Sequence, residues 1–103
     1  MNRILLEGKV SSDCRVETKR KDGIDVEFCR LVVVTQVQKM PDVACQIELQ
    51  AYDPDITKIM KSIKNGDHIA AEGLMANTFK YENGSRKPAF YYVICTSIKK
   101  WNQ

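Results

Sequence analysis

A change of period at Asp53 constrains this chain more than any other feature of its sequence. Up to Tyr52, apolar residues tend to alternate with polar ones. Beyond it they recur at i, i+3, i+4 and i+7 as Ile56, Ile59, Met60 and Ile63. Alternation sorts side chains onto the two faces of a strand, whereas the second spacing lines them along one stripe of a helix. Asp53 is a good N-cap, and Pro54 a good first helical residue, because the N–H that proline lacks has no helical partner there. Lys58, Lys61 and Lys64 point away from the stripe and suit the negative end of the helix dipole, and Asn65-Gly66 closes the helix. One short helix is therefore set among strands.

The strands read as follows. Arg3 to Val10 places Ile4, Leu6, Gly8 and Val10 on one side and Leu5, Glu7 and Lys9 on the other. Ser11 to Ile24 is polar and reads as a loop, with a hairpin-type turn signal at Lys21-Asp22-Gly23. Asp25 to Gln38 is a β-branched run, broken by Lys39-Met40-Pro41-Asp42. Cys45 to Tyr52 alternates again, with Cys45, Ile47, Leu49 and Ala51 opposite Gln46, Glu48, Gln50 and Tyr52. After the helix, His68 to Met75 is a fourth strand. Asn77 to Tyr81 and Ala89 to Ile98 then form a hairpin about Glu82-Asn83-Gly84-Ser85. The order β-β-β-α-β-β makes an all-β chain, and the arrangement it suits is a five-stranded Greek-key OB-fold barrel plugged by a helix between strands three and four. SH3-like barrels lack that helix, and ferredoxin-like folds need two. Residues 1–103 are read as one OB domain.

Composition narrows the function classes. With 44% apolar and 28% charged residues, the chain is neither a disordered tail nor a membrane span. Its longest apolar run, Leu31-Val32-Val33-Val34, is far too short to cross a bilayer. Charges at Arg3, Glu7 and Lys9 spoil a signal-peptide core, so a cytoplasmic address is expected. Cys14, Cys29, Cys45 and Cys95 lie far apart with no C-x-x-C, and read as reduced, half-buried thiols. His68 is the single histidine, which leaves no metal-ligand spacing and starves most acid–base schemes. With no nucleophile–base pair and no phosphate loop, the chain reads as a non-enzyme with no catalytic residues, metal or cofactor.

The net charge of +3 is small, but its distribution is uneven. Lys80, Arg86, Lys87, Lys99 and Lys100 crowd the last quarter against Glu82 alone, and Lys19-Arg20-Lys21 forms a second basic knot. Each segment is either a solvated surface or, if folding unites them, part of an electrostatic footprint for a polyanion.

Several segments resemble the bacterial-type single-stranded-DNA-binding proteins, and the resemblance covers essentially the whole chain. They are the opening Met1-Asn2-Arg3-Ile4-Leu5-Leu6-Glu7-Gly8-Lys9-Val10, the strand end Leu49-Gln50-Ala51-Tyr52, the helix exit Lys64 to Leu74, and the hairpin Tyr81-Glu82-Asn83-Gly84-Ser85-Arg86. Full replication members carry a Gly- and Gln-rich linker and an acidic C-terminal tip. This chain stops at Trp101-Asn102-Gln103 with no acidic tail, and so looks like the bare OB core, as in the primosomal replication branch, PriB. It departs from the family in a longer spacing after Gly23, and in Val37-Gln38-Lys39 where an aromatic is expected.

The resemblance implies sequence-independent binding of single-stranded DNA in replication, repair or replication restart. Such binding needs cations that track phosphates and flat side chains on which any base can stack. The stacking candidates are Tyr52, Phe79, Tyr81 and Tyr91, with Trp101 expected on the barrel or a partner subunit and Phe28 in the core. Tyr52 should be exposed, since it falls opposite Leu49 and Ala51. Tyr91 and Tyr92 face opposite ways, so at most one meets the ligand. The phosphate candidates are Lys19, Arg20, Arg30, Lys39, Lys80, Arg86 and Lys87; a cross-sheet pair with Glu48 is the competing explanation for Arg30. A weak net charge favours assembly into a homodimer or homotetramer, with Leu5 and the Val33/Thr35/Val37 side as the contact. Helicases or other replication proteins are the further partners implied. The rival readings are an OB module that docks primosome proteins and an OB domain that binds RNA, since stacking and phosphate contacts serve ribose equally.

Overall fold

The computed structural model describes residues 1–37 and 40–101. Its elements are β1 (Ile4–Val10), β2 (Arg15–Lys21), β3 (Ile24–Val37), β4 (Met40–Ala51), α1 (Pro54–Met60), β5 (His68–Glu82) and β6 (Ser85–Lys100). The sheet runs β1-β5-β6-β4-β3-β2, and β1 closes it onto β3 through Lys9 opposite Val34 and Val10 opposite Val33. All described pairings are antiparallel except β4 with β6, where Leu49 and Gln50 run alongside Val93 and Ile94. This is the expected OB barrel, with its helix between the third and fourth barrel strands.

Two stretches read as non-strand are strand: β4 begins at Met40, inside the segment read as a break, and the polar stretch after β1 contains β2. β2 pairs with β3 from Arg15 opposite Arg30 to Lys21 opposite Ile24. The alternating apolar signal is missing there because β2 is solvated on both faces and only Glu17 is partly covered. The hairpin is held by its turn instead: Asp22 and Gly23 both take positive φ, 53° and 79°, as a two-residue primed turn requires. Asn83 and Gly84 repeat the device between β5 and β6. Since β1 and β2 follow one another along β3, they act as a single bent barrel strand, which restores the count of five.

The core is filled from alternate strand positions: Cys29, Leu31 and Val33 of β3, Leu49 and Ala51 of β4, Ile69 and Ala71 of β5, and Val93 and Cys95 of β6. Val33 is thus wholly buried and does not belong to an exposed contact face. Leu5 does stand exposed, Thr35 is half-buried, and the Val37 side chain lies outside those described.

The helix plugs the barrel as expected, but with a shifted stripe. Met60 and Ile63 are fully buried, Thr57 is buried, Ile56 packs against the core, and Ile59 remains 41% exposed. Burial of a side chain such as Met60 is worth roughly 1.5–3 kcal/mol. The Asp53 carboxylate accepts from the Asp55 N–H at 2.9 Å, and the buried Thr57 hydroxyl donates to the Pro54 carbonyl at 3.1 Å. Helical geometry ends at Met60, so the remaining turns to Gly66, whose φ is 96°, are tight bends.

Gly8 marks the barrel seam. A Cβ there would run into the Val34 carbonyl oxygen and lie 3.0 Å from a Val33 methyl, so only glycine lets β1 come this close to β3. Among the described residues no helix is long and apolar enough to cross a membrane. All four thiols are free: Cys29 and Cys95 are buried, Cys14 is half-buried, and Cys45 is exposed, unlike the expected half-buried set.

Candidate nucleic-acid interface

Alternation that sends Cys29, Leu31 and Leu49 inward sends Phe28, Arg30, Glu48, Gln50 and Tyr52 onto the outer face of β3 and β4. There the Phe28 and Tyr52 rings stack, with centroids 5.1 Å apart and planes 12° from parallel. Tyr52 is therefore half-buried and not exposed as its alternation implied, because Phe28 covers one side of it. Phe28 is buried, as expected, yet it lies against Tyr52 and outside the cluster that fills the barrel.

β6 extends the aromatic floor. With Leu49 alongside Val93 and Gln50 alongside Ile94, Tyr92 falls on the outer face of β6 next to β4, and it stacks on Phe90 with centroids 6.1 Å apart. Burial, and then the neighbouring Tyr92, push the Tyr52 phenol above its ordinary pKa, so it stays a neutral hydrogen-bond donor. Phe28, Tyr52, Tyr92 and Phe90 thus form a row across three adjacent strands. Sequence reasoning missed Phe90 and Tyr92. Tyr92 was visible as one of a pair facing opposite ways, but the phase of β6 against β4 was needed to choose between them.

Beside the row, both terminal nitrogens of Arg30 are engaged. One guanidinium nitrogen donates to both Glu17 carboxylate oxygens at 3.2 Å, and the other donates to Glu48 at 2.7 Å. These hydrogen bonds, that to Glu48 foremost, raise the guanidinium pKa. Gln50 donates to the second Glu48 oxygen at 2.7 Å, and the Tyr52 hydroxyl donates to Gln50 at 2.9 Å. The cross-sheet pair accounts for this arginine, so its assignment to phosphate finds no support in the geometry.

The β5–β6 hairpin carries the other candidates on two faces. Lys80 lies opposite Lys87, and alternation along β5 puts this pair on the face of Tyr92. Phe79, Tyr81 and Arg86 share the reverse face, where the Arg86 guanidinium covers the Phe79 ring at 3.6 Å from its centroid. Between Asn77 and Phe79 the register shifts, with three residues of β6 spanning two of β5. This bulge brings Tyr91, 53% exposed, to the reverse face with Phe79, away from Tyr92. The reverse face is an exposed aromatic strip of its own, since Tyr81 is 77% exposed.

The remaining cations divide in the same way. Lys19 falls on the platform face with Glu17 and Phe28, and makes no ion pair with a described residue. Arg20 falls on the opposite face of β2 and approaches Asp25 at 3.7 Å. Lys80 approaches Glu82 at 3.5 Å, while Lys87 is unpaired among the described residues. Lys39 lies outside the described residues. The sheet order β2-β3-β4-β6-β5 sets the two basic segments at opposite ends of the aromatic row. Trp101 lies beside His68, their rings 6.3 Å apart, away from this face, with the Trp101 backbone N–H donating to the His68 carbonyl.

No family model matches the chain, and no curated protein matches its sequence. Solved structures do match its shape. A Plasmodium falciparum SSB, determined in complex with ssDNA, superposes with a TM-score of 0.71 at 16% identity over 99% of this chain and 96% of its own. The single-stranded DNA binding protein of Thermus aquaticus gives 0.74 at 14% identity over all of this chain and 41% of its own. The mitochondrial single-stranded DNA binding protein Rim1 of S. cerevisiae gives 0.68 at 12% identity over 95% of this chain and 92% of its own. At such identities the likeness is one of fold, and the fold shared is the OB barrel.

Proposed function

We propose that this chain binds single-stranded DNA without regard to sequence, bases stacked on the barrel face and phosphates held at its basic margins. The observation that carries the proposal is the row Phe28, Tyr52, Tyr92 and Phe90 lying between Lys19 at one end and Lys80 with Lys87 at the other. Stacking suits a sequence-blind binder because every base has a π-face, and each stacked base contributes about 1–3 kcal/mol. Phe79, Tyr81 and Tyr91, with Arg86, offer a second strip for a strand that continues around the hairpin. The similarity of the barrel to proteins named for single-stranded DNA binding supports the same reading. Within it, we extend the resemblance to a replication role of the primosomal PriB kind, with a homodimer or homotetramer aligning several such faces and helicases or other replication proteins as partners.

The test is fluorescence anisotropy with a labelled oligo-dT of about thirty nucleotides, its duplex counterpart and oligo-U, at low and moderate salt. Salt-sensitive binding to the single strand and not the duplex is expected. Preference for oligo-U would reassign the chain to RNA. Binding to none of the three at low salt would leave a protein-docking barrel.

A further inference from the structure

The centre of the platform holds a charge arrangement that simple phosphate collection does not explain. Arg30 points to the same outer face as Tyr52, yet both its terminal nitrogens are occupied by carboxylates, and its Nε is buried with no partner among the described residues. Glu17 also receives Arg15 at 3.5 Å, so two arginines meet two carboxylates here. Glu48 is the most enclosed of the four, its side chain only 11% exposed, and Gln50 fixes its second oxygen. Cations available to a ligand are found at the margins, Lys19 on β2 and Lys80 with Lys87 on the hairpin.

From this geometry we infer that Glu17 and Glu48 are specificity-determining residues: by holding Arg30 they keep the centre neutral, so that nucleic acid must present bases there and phosphates at the edges. This rests on the proposed binding of single strands and adds the reason a duplex or any bare polyphosphate is refused. A single strand can turn its bases down onto Tyr52 and Tyr92 while its backbone runs to the lysines. A duplex keeps its base faces stacked inside the helix and turns its backbone to the platform, and at the centre the phosphates meet carboxylates already paired, with no guanidinium to receive them. Removing either carboxylate charge gives the centre a net positive charge that attracts a phosphate and makes the face less selective.

The test uses Glu48→Gln and Glu17→Gln in the full chain, with Glu7→Gln as a control for net charge. Glu7 is exposed on β1, outside the platform. Each protein is titrated directly with labelled duplex and with inorganic polyphosphate, and separately with oligo-dT. Loss of either platform carboxylate should tighten duplex and polyphosphate binding about tenfold, the effect of one added close charge pair. It should also steepen the salt dependence on duplex by about 0.9, the increment for one further phosphate contact. Oligo-dT binding should change far less. Glu48→Gln keeps the hydrogen-bond acceptor for Arg30. If that variant does not fold, Glu17→Gln, whose side chain is 31% exposed, carries the test. Unchanged duplex and polyphosphate binding in the folded variants overturns the inference, as does an equal gain from Glu7→Gln. Failure of the wild type to bind oligo-dT would instead overturn the single-strand proposal, because the direct duplex titrations do not depend on it.

Discussion

Phe28 and Tyr52 lie face to face on the outside of the barrel, 5.1 Å between centroids, so the tyrosine proposed to stack on bases also rests on a ring that is buried. On that proposal, binding and stability are joined at this pair. Tyr52→Ala should lower the unfolding free energy by about 2–3 kcal/mol, less than for a fully enclosed ring, and should also weaken oligo-dT binding. Tyr52→Phe loses only the hydrogen bond to Gln50, about 1 kcal/mol, and should keep most of the affinity. Urea unfolding together with anisotropy on the same samples checks both.

Tyr92 and Tyr91 are adjacent in sequence but belong to different surfaces. Tyr92→Ala should weaken binding of a short oligonucleotide about tenfold, in line with one lost base stack. Tyr91→Ala should matter only for oligonucleotides long enough to reach the reverse of the hairpin. A length series of oligo-dT measured on both variants separates them.

The hairpin lysines should govern salt sensitivity more than base preference. Replacing Lys87 by Ala should reduce the slope of log affinity against log salt by about 0.7 on single strands, one phosphate contact's worth. Arg20→Ala, on the far face of β2, should leave the slope unchanged. Anisotropy at four or five salt concentrations gives both slopes.

At the seam, Gly8→Ala forces a methyl against the Val34 carbonyl, where neither strand is free to move. A loss of about 1–3 kcal/mol is expected, the usual cost of overpacking. Gly84→Ala meets open space but keeps a φ of 78°, so its loss should be nearer 1 kcal/mol and come from backbone strain alone. Denaturant midpoints for the two variants rank them.

Stability should fall in alkali. Burial, with a hydrogen bond to Cys29, pushes the Cys14 thiol up from 9.0 to about 12, and burial pushes Cys95 up to about 11. A raised pKa means the folded state holds the proton more tightly than the unfolded chain. The stabilisation is therefore complete below pH 9 and is lost as pH climbs toward the folded values. Unfolding free energies at pH 8 and pH 10.5 should differ less in Cys14→Ala than in the wild type. Exposed Cys45 should be alkylated first at pH 8.

Local rules carried far in this chain. The period change at Asp53, the Asp22-Gly23 and Asn83-Gly84 turns and the inward positions of β1 and β4 were all legible, because each depends on neighbours within a few residues. β2 escaped notice because a strand solvated on both sides carries no alternation, and Ile59 strayed from the stripe because the face turned to the core is centred on Thr57 and Met60.

The sequence by itself determined the order of the five barrel strands, the place of the helix and the positions of the Asp22-Gly23 and Asn83-Gly84 turns, since backbone preference and hydrophobic period act along the chain. Only the tertiary structure decided which aromatics share a surface and which arginine is already spent. Alternation sets faces within one strand, but the phase between strands depends on register. One extra residue in β6 separates Tyr91 and Phe79 from Tyr92 and Phe90. Likewise, Arg30 meets Glu17 and Glu48 only because β2, β3 and β4 bring positions 13 and 18 residues away to its two sides.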